Sequence, residues 1–397
     1  MSGLRVLFVT HAYPRFPADG AGSFIHRLAV GLMAGGCDVR VLAPSALGLA
    51  PTATLDGVSI HRFRYAPSGM ESLAYTGTMA EQVLGSLRGK GALAGMLTAG
   101  TMAVRRAVEN FAPDIVHAHW WFPAGLLALG SDDSVPLVTT LHGSDVRLAR
   151  RVKLVHPLFR RVMARSAAVT AVSSWLAGEA RAMAPEVEIA VAPMPAETSL
   201  FTGETVERIG GRFLFVGRLN AQKGIADLLE ALAWTPVHCT LDVVGDGDEN
   251  AALRIRAEQL GLSHRVHWLG RVNRDALSAL YRRAIATVMP SRHEGLGLVA
   301  VESQLSRTPV IAYASGGLTD VVSPQWGGML VPTGDIRALA DAMSAHAASV
   351  ERDTVHYAAA LGTTARAMML DRFAPATVTA GYRALYQSLL PDDRADS

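Results

Sequence analysis

Short apolar runs alternate along this chain with longer segments of helical periodicity. In the first half the strand-like runs are Leu4–Val9, Val39–Ala43, Val58–Phe63, Asp114–Ala118, Pro136–Leu141, Ala168–Val172 and Ile189–Ala192. Ser23–Gly35, Thr101–Phe111 and Ser174–Met183 lie between them with the spacing of helices. The second half repeats the style with Arg212–Val216, Cys239–Val244, Val266–Leu269, Ile285–Met289 and Pro309–Tyr313. Continuous apolar strands separated by helices predict parallel sheets covered on both faces. The stretch Ala192-Pro193-Met194-Pro195-Ala196-Glu197-Thr198 stops regular structure with two prolines and marks a linker. The pattern therefore predicts an α/β protein of two doubly wound, Rossmann-like domains, residues 1–193 and 194–374, with a cleft between them. A last helix follows in 375–397, with Pro375 at its first position and Tyr382, Leu385, Tyr386 and Leu389 at helical spacing.

Composition adds exclusions. Half of the 397 residues are hydrophobic, ample for two or three cores. The chain opens on a strand rather than a secretory signal, and no run reaches the roughly 18 to 20 apolar residues that span a bilayer. Cys37 and Cys239 are too few and too far apart for a disulfide framework or a structural zinc site, so a cytoplasmic protein is expected. The net charge of +2 is spread unevenly. Residues 1–200 carry 18 basic and 14 acidic side chains, and Val146 to Gly178 hold Arg147, Arg150, Arg151, Lys153, Arg160, Arg161 and Arg165 with no acid. That stretch reads either as a solvated helix face or as a patch for an acidic acceptor or an anionic membrane surface, a peripheral contact. Nucleic acid is not expected as a partner, because no aromatics interleave with these charges.

Candidate chemistry gathers at strand ends. Pro290-Ser291-Arg292-His293-Glu294-Gly295-Leu296-Gly297-Leu298-Val299-Ala300-Val301-Glu302 places two carboxylates eight residues apart after a strand. A helix beginning near Gly297 would turn its free amides toward Glu294. Glu302 would lie about 12 Å along if the helical rise of about 1.5 Å per residue held throughout. That span suits a ligand with separated hydroxyl groups and an anion between them. Gly217-Arg218-Leu219-Asn220-Ala221-Gln222-Lys223-Gly224 ends another strand with a planar fork and a point charge, a clamp for a diphosphate. It is not a Walker motif, since Gly224 follows Lys223. Gly20 and Gly22 let the first loop approach an anion at a helix start. His142, in Leu141-His142-Gly143-Ser144-Asp145, ends a strand, and His117 and His119 share one strand face as cleft-lining or core residues rather than metal ligands. Asp246-Gly247-Asp248 resembles a metal-binding acid pair, but Asp248 is better placed as the cap of the following helix, and no metal site is expected. Trp120, Trp121 and Phe122 are candidates for an acceptor platform.

These segments, taken in order, make the chain resemble the family-4 retaining glycosyltransferases of the GT-B fold. Gly316-Gly317-Leu318-Thr319-Asp320-Val321-Val322 extends the match, which covers almost the whole chain. The resemblance implies that Arg218 and Lys223 neutralise the diphosphate of a UDP- or GDP-linked sugar. It implies that Glu294, with amides of Gly297, Leu298 and Val299, binds the transferred sugar and Glu302 the ribose. His142 would reach the sugar from the other domain, amides near Gly20 and Gly22 the phosphate, and the backbone at Arg271 and Val272 the base. No cofactor is implied beyond the nucleotide diphosphate sugar as co-substrate, and no metal. The acceptor would be a hydroxyl of a glycan, a glycolipid or a lipid-linked intermediate, and the last helix would cross back to the first domain. The chain departs from the family pattern at Met194-Pro195-Ala196-Glu197, where the linker usually reads Asn-Gly-x-Asp. It also departs at Ala21, which separates usually paired glycines, and at Thr319-Asp320 in place of Pro-Glu. A nucleotide-sugar-binding protein that has lost catalysis, or a nucleotide-sugar epimerase on the same fold, are the rival readings. The intact Arg218, Lys223, Glu294 and His142 weigh against the former.

Overall fold

The computed structural model describes residues 3–17, 19–75, 79–204, 208, 210–352 and 354–391. Ala18 of the first loop and residues 392–397 of the C-terminal segment lie outside the described residues. The chain forms two compact units, residues 1–195 with 375–397, and residues 196–374.

The first unit is built on eight strands: β1 (Arg5–Val9), β2 (Asp38–Pro44), β3 (Thr52–Leu55), β4 (Val58–Phe63), β5 (Ile115–His119), β6 (Leu137–Leu141), β7 (Ala168–Ala171) and β8 (Ile189–Val191). Their order is β3-β4-β2-β1-β5-β6-β7-β8, and only the β3–β4 pair is antiparallel. Alternation along β1 sends Leu7 and Val9 into a core with Met96, Val104 and Phe111. Phe8 turns to the opposite face and meets the rings of His117 and His119. Helix Ser23–Ala34 buries Ile25, Leu28, Ala29 and Leu32, the stripe its spacing predicts.

The helix expected over Thr101–Phe111 in fact spans Leu87–Phe111. Its early glycines look like breakers in the sequence, yet they are packing devices. A Cβ on Gly95 would sit 2.1 Å from the carbonyl oxygen of Tyr65, so only glycine lets that loop cross the helix. Strand β3 was not anticipated from the sequence. It is a four-residue edge strand with no buried residue, so it lacks an apolar run.

The second unit holds six strands, all parallel: β9 (Arg212–Val216), β10 (Thr240–Val244), β11 (Val266–Gly270), β12 (Ala286–Met289), β13 (Val310–Tyr313) and β14 (Met329–Val331). Their order is β11-β10-β9-β12-β13-β14. The three-residue β14 also escapes a reading of apolar runs. Phe213, Phe215, Leu241, Val288 and Ile311 pack with Leu228 and Leu232 of helix Ile225–Ala233 and Leu339 and Met343 of helix Ile336–Arg352.

Helix Pro375–Ser388 returns to the first unit. Its Tyr382 hydroxyl donates to the carbonyl of Ala192 at 3.2 Å, and the Tyr386 hydroxyl lies 2.7 Å from His117 Nδ1. Gly31 of the first helix makes room for it, since a Cβ there would stand 2.3 Å from Thr379 Oγ1.

Each sheet has a place where the strand order reverses: between β1 and β5 in the first unit, and between β9 and β12 in the second. At such a point the loops leaving the carboxyl ends of neighbouring strands part to opposite sides and open a crevice.

Candidate active site

In the second unit the reversal lies between the loop after β9, with Arg218 and Lys223, and the loop after β12, with Glu294. The two loops are tied together. Arg292 N donates to the Gln222 carbonyl at 2.9 Å, and Gln222 Nε2 donates to the His293 carbonyl at 2.5 Å. Gly224, at φ 66°, allows their close approach: a Cβ would lie 2.1 Å from the Pro290 carbonyl oxygen. Lys223 Nζ consequently reaches Glu294 Oε2 at 2.6 Å, both side chains mostly buried. The guanidinium of Arg218 is exposed and has no hydrogen-bond or ion-pair partner among the described residues.

The loop after β13 closes the far side of Glu294. Gly317 N donates to the Glu294 carbonyl at 2.9 Å and Ser315 Oγ to the Arg292 carbonyl at 2.6 Å. Arg292 itself makes paired contacts to Asp227 at 2.9 and 3.1 Å, and Tyr313 donates to Asp227 at 3.0 Å. This network was not visible in sequence, because its members come from helix Ile225–Ala233, the loop after β12 and the end of β13.

Helix Leu298–Leu305 starts after Gly297, which is left-handed at φ 92°. The helical rise therefore does not extend back to Glu294, and the separation inferred from continuous helix does not apply. The four residues from Glu294 to Gly297 form an irregular turn instead. Leu298 and Val299 are half-buried in the first helical turn. Glu302, one turn on, accepts a hydrogen bond from the Tyr281 hydroxyl at 3.2 Å. Tyr281 is fully buried, and burial together with the Glu302 charge pushes its pKa well above the usual phenol value, so it stays a donor. Sequence reading missed Tyr281, whose helical spacing marks only a core residue.

At the end of β11, the Gly270 carbonyl accepts from Gly245 N at 2.8 Å, which holds Arg271 and Val272 beside the turn after β10. There the expected capping role is reassigned. Asp246, not Asp248, accepts from Gly247 N at 2.8 Å and from Asn250 Nδ2 at 3.0 Å. Helix Asn250–Gln259 starts one residue later than a cap at Asp248 requires, with Glu249 as its N-cap. Those two hydrogen bonds, with Arg271 nearby, hold the Asp246 carboxyl below the usual range.

In the first unit the reversal brings the loop after β1 to the end of β5. Gly22 is left-handed at φ 67° and begins helix Ser23–Ala34. A Cβ there would meet the Ala12 carbonyl oxygen at 2.3 Å, so this glycine serves the folding of its own loop. Gly20 is exposed with open space around it. Asp19 pins the loop between them through Arg15 at 2.6 Å and the Ala21 amide at 3.2 Å.

His142, after β6, is half-buried with its ring against Trp120, Phe24 and His119. Its Nε2 lies 3.2 Å from His119 Nδ1. The other nitrogen of His119, Nε2, is buried without a partner among the described residues, as is Nδ1 of His11, whose ring stacks edge-on to Trp120 at 4.3 Å. Burial, reinforced by the neighbouring histidines, holds His119 and His142 neutral, far below the usual imidazole range. Burial alone takes His11 to about 4 and His117 to about 3. His117 is a satisfied core residue between Tyr386 and Thr140, at 2.7 Å from each.

Asp145 holds this region together. Its buried carboxylate accepts from the amides of Trp121 and His142 at 3.2 Å and of Gly143 at 2.9 Å, joining the ends of β5 and β6. Trp120, between them, is held at φ 70°, a strained value for a side chain of its size. Trp121 is no platform residue: its ring is fully buried against Phe159 and its Nε1 donates to the Asp145 carbonyl at 2.7 Å.

Comparison with known proteins agrees with this layout. The family described as "Glycosyltransferase Family 4" matches residues 18–200, and that described as "Glycosyl transferases group 1" matches residues 210–356. A D-inositol 3-phosphate glycosyltransferase of Xylanimonas cellulosilytica is 33% identical over 329 residues, 72% of this chain and 79% of that protein. Sucrose-phosphate synthase of Thermosynechococcus elongatus superposes with a TM-score of 0.77 at 21% identity, covering 98% of this chain and 99% of that one. The Anabaena HepE protein, solved in complex with UDP-glucose, gives a TM-score of 0.69 at 19% identity over 97% of this chain and 100% of that one. The chain belongs to the family-4 glycosyltransferases and has their GT-B fold.

Proposed function

We propose that this glycosyltransferase moves a sugar from a UDP- or GDP-linked donor to a hydroxyl acceptor with retention of configuration, using two cationic side chains in place of a metal. The single observation that carries the reading is the Lys223–Glu294 pair at the strand-order reversal of the second unit. A bound diphosphate competes with Glu294 for Lys223 and draws in the unpartnered Arg218. Glu294 is thereby released to accept hydrogen bonds from the hydroxyls of the transferred sugar, aided by amides of Gly297, Leu298 and Val299. Glu302, oriented by Tyr281, accepts from the ribose, and the backbone of Arg271 and Val272 meets the base. UDP-glucose bound to the similarly folded HepE supports this class of donor.

The bond between the anomeric carbon and the phosphate oxygen breaks with its electron pair leaving on the phosphate. Arg218 and Lys223 stabilise that charge, an electrostatic contribution of several kcal/mol when fixed in advance. The acceptor oxygen bonds to the anomeric carbon from the vacated face and gives its proton to a phosphate oxygen. In this reading the first unit receives the acceptor, a glycan, a glycolipid or a lipid-linked intermediate, while amides near Gly20 and Gly22 serve the phosphate. His142 serves the sugar. A buried unpaired lone pair costs less than a buried unpaired N–H, so the unpartnered Nε2 of His119 is the unprotonated one. His119 then donates from Nδ1 to His142 Nε2, which leaves His142 with Nδ1–H to offer a sugar oxygen.

Incubation with a panel of UDP- and GDP-sugars, with and without glycan and lipid-linked acceptors and with EDTA, tests the proposal. Nucleotide release that requires an acceptor, persists in EDTA and yields a product with the donor's anomeric configuration by proton NMR is the expected outcome. Donor turnover without acceptor would establish an epimerase or hydrolase instead, and an inverted product would end the retaining assignment.

A further inference from the structure

The segment joining β6 to β7 combines unpaired cations with exposed leucines. It consists of helix Ser144–Arg151, the turn Lys153–Val155 and helix His156–Arg165. Arg150 is paired with Glu179 at 2.7 Å, Arg165 with Asp133 at 2.7 Å, and Arg160 donates to the Met183 carbonyl at 2.8 Å. Arg151, Lys153 and Arg161 are exposed and have no hydrogen-bond or ion-pair partner among the described residues. Leu154, in the turn, is 88% exposed, and Leu158, in the first turn of the helix after it, is 45% exposed. Helix His156–Arg165 buries Phe159, Val162 and Met163, so Leu158 and Arg161 lie off its packed face. Leu158 and Arg161, three residues apart on that helix, are neighbours on one face, and Leu154 lies in the turn that leads into it.

A single exposed leucine is ordinary, and a solvated face accounts for the cations. Neither accounts for two leucines kept in water inside a stretch without one acid from Val146 to Gly178. Apolar side chains set among basic ones match the boundary between anionic headgroups and acyl chains.

We propose that this face docks the protein on an anionic lipid surface, with Leu154 and Leu158 entering the acyl boundary and Arg151, Lys153 and Arg161 over the headgroup phosphates. The reading of the acceptor as lipid-linked gains from this surface but does not support it, and the docking stands on its own residues. Among the described residues no helix is long and apolar enough to cross a membrane, so the contact is peripheral.

Co-sedimentation of the full chain with vesicles of phosphatidylcholine, with and without about 30% phosphatidylglycerol, tests this without any sugar donor. Binding is expected only with phosphatidylglycerol, and high salt should weaken it. The triple variant Arg151→Glu, Lys153→Glu, Arg161→Glu should lose affinity about 100-fold, and Leu154→Ser with Leu158→Ser roughly tenfold. Both variants should keep the parent's circular dichroism and its turnover of a water-soluble acceptor, since none of these residues belongs to the proposed transfer site. No binding to anionic vesicles overturns the proposal. Unchanged vesicle affinity in the leucine variant also overturns it, because it would mark a site for soluble polyanions. A patch-dependent dimer by light scattering would assign the face to a second copy of the chain. Because no turnover is needed for the binding measurement, its failure leaves the proposed transfer reaction untouched.

Discussion

At the carboxyl edge of the first unit's sheet the histidines are held neutral, whereas at the same edge of the second Lys223 and Glu294 form an ion pair. His11, His117, His119 and His142 are kept uncharged by burial, and their order comes from ring packing and from the carboxylate of Asp145. Lys223 and Glu294 hold each other as an ion pair, while Arg218 has no hydrogen-bond or ion-pair partner among the described residues. The first arrangement fixes direction: each ring nitrogen has one orientation and little freedom to change it. In the proposed reading the second exchanges partners, since a cation and an anion that satisfy each other can each turn to a ligand at low desolvation cost. On the proposed mechanism, orientation and charge stabilisation are divided between two units of similar architecture.

Removing the charge separates the two roles most sharply. Lys223→Ala should lower kcat by about 100- to 1,000-fold, the scale for losing one fixed stabiliser of transition-state charge. Its thermal stability should stay near that of the parent, and activity within tenfold of the parent in a discontinuous assay would remove Lys223 from the clamp.

In the first unit the corresponding cut is structural. Asp145→Ala strips buried amides of Trp121, His142 and Gly143 of their acceptor, with an expected cost of about 2 to 3 kcal/mol by chemical denaturation. A loss under about 0.5 kcal/mol would show that the loop ends of β5 and β6 hold without it.

Acid sharpens the comparison next. The unfolded chain titrates its histidines near 6.5, while the folded first unit holds His11 at about 4 and His117 at about 3. Protons therefore bind the unfolded state first. The histidine contribution to stability is complete above about pH 6.5 and is lost as the pH falls toward about 3, at up to about 1.4 kcal/mol per pH unit for each such group. Asp145, raised by burial, acts in the opposite sense at the acid end of that range. In the second unit His346 is lowered in the same direction. Hydrogen exchange at pH 7.5 and pH 5 should show the first unit opening more readily in acid and the second changing less; equal change in both would contradict this division.

The smallest effect concerns Tyr281. Tyr281→Phe removes one hydrogen bond to Glu302 and should raise KM for the sugar donor roughly threefold to tenfold with kcat unchanged. A fall in kcat at constant KM would place Glu302 in the chemical step rather than in binding.

Much of the fold was legible because a strand covered on both faces must be apolar throughout, and β1, β5, β6, β9, β12 and β13 announce themselves in that way. The short edge strands β3 and β14 bury too little to leave such a signal. In the Leu87–Phe111 helix, Gly89, Gly95 and Gly100 carry a penalty in isolation that close packing offsets. Among the proposed site residues, Arg218, Lys223, Glu294 and His142 each stand beside a glycine, and Glu302 stands out by its spacing of eight from Glu294. The contacts of Tyr281 with Glu302, of Asp145 with Trp121 and of His119 with His142 could not be read off, since the partners lie 21, 24 and 23 residues apart in sequence.

Residue order alone determined the two-sheet class, the prolines of the linker and the chemical types available at each strand end, because these depend on local periodicity and backbone restriction. Folding decided which of those groups meet. The strand order β10-β9-β12 sets Lys223 next to Glu294 although 71 residues separate them, and β1-β5-β6 gathers His11, His119 and His142. Such neighbours are created by parallel crossovers, whose lateral order no local pattern encodes, so the pairing of charges and the burial that keeps the histidines neutral are properties of the assembled sheets.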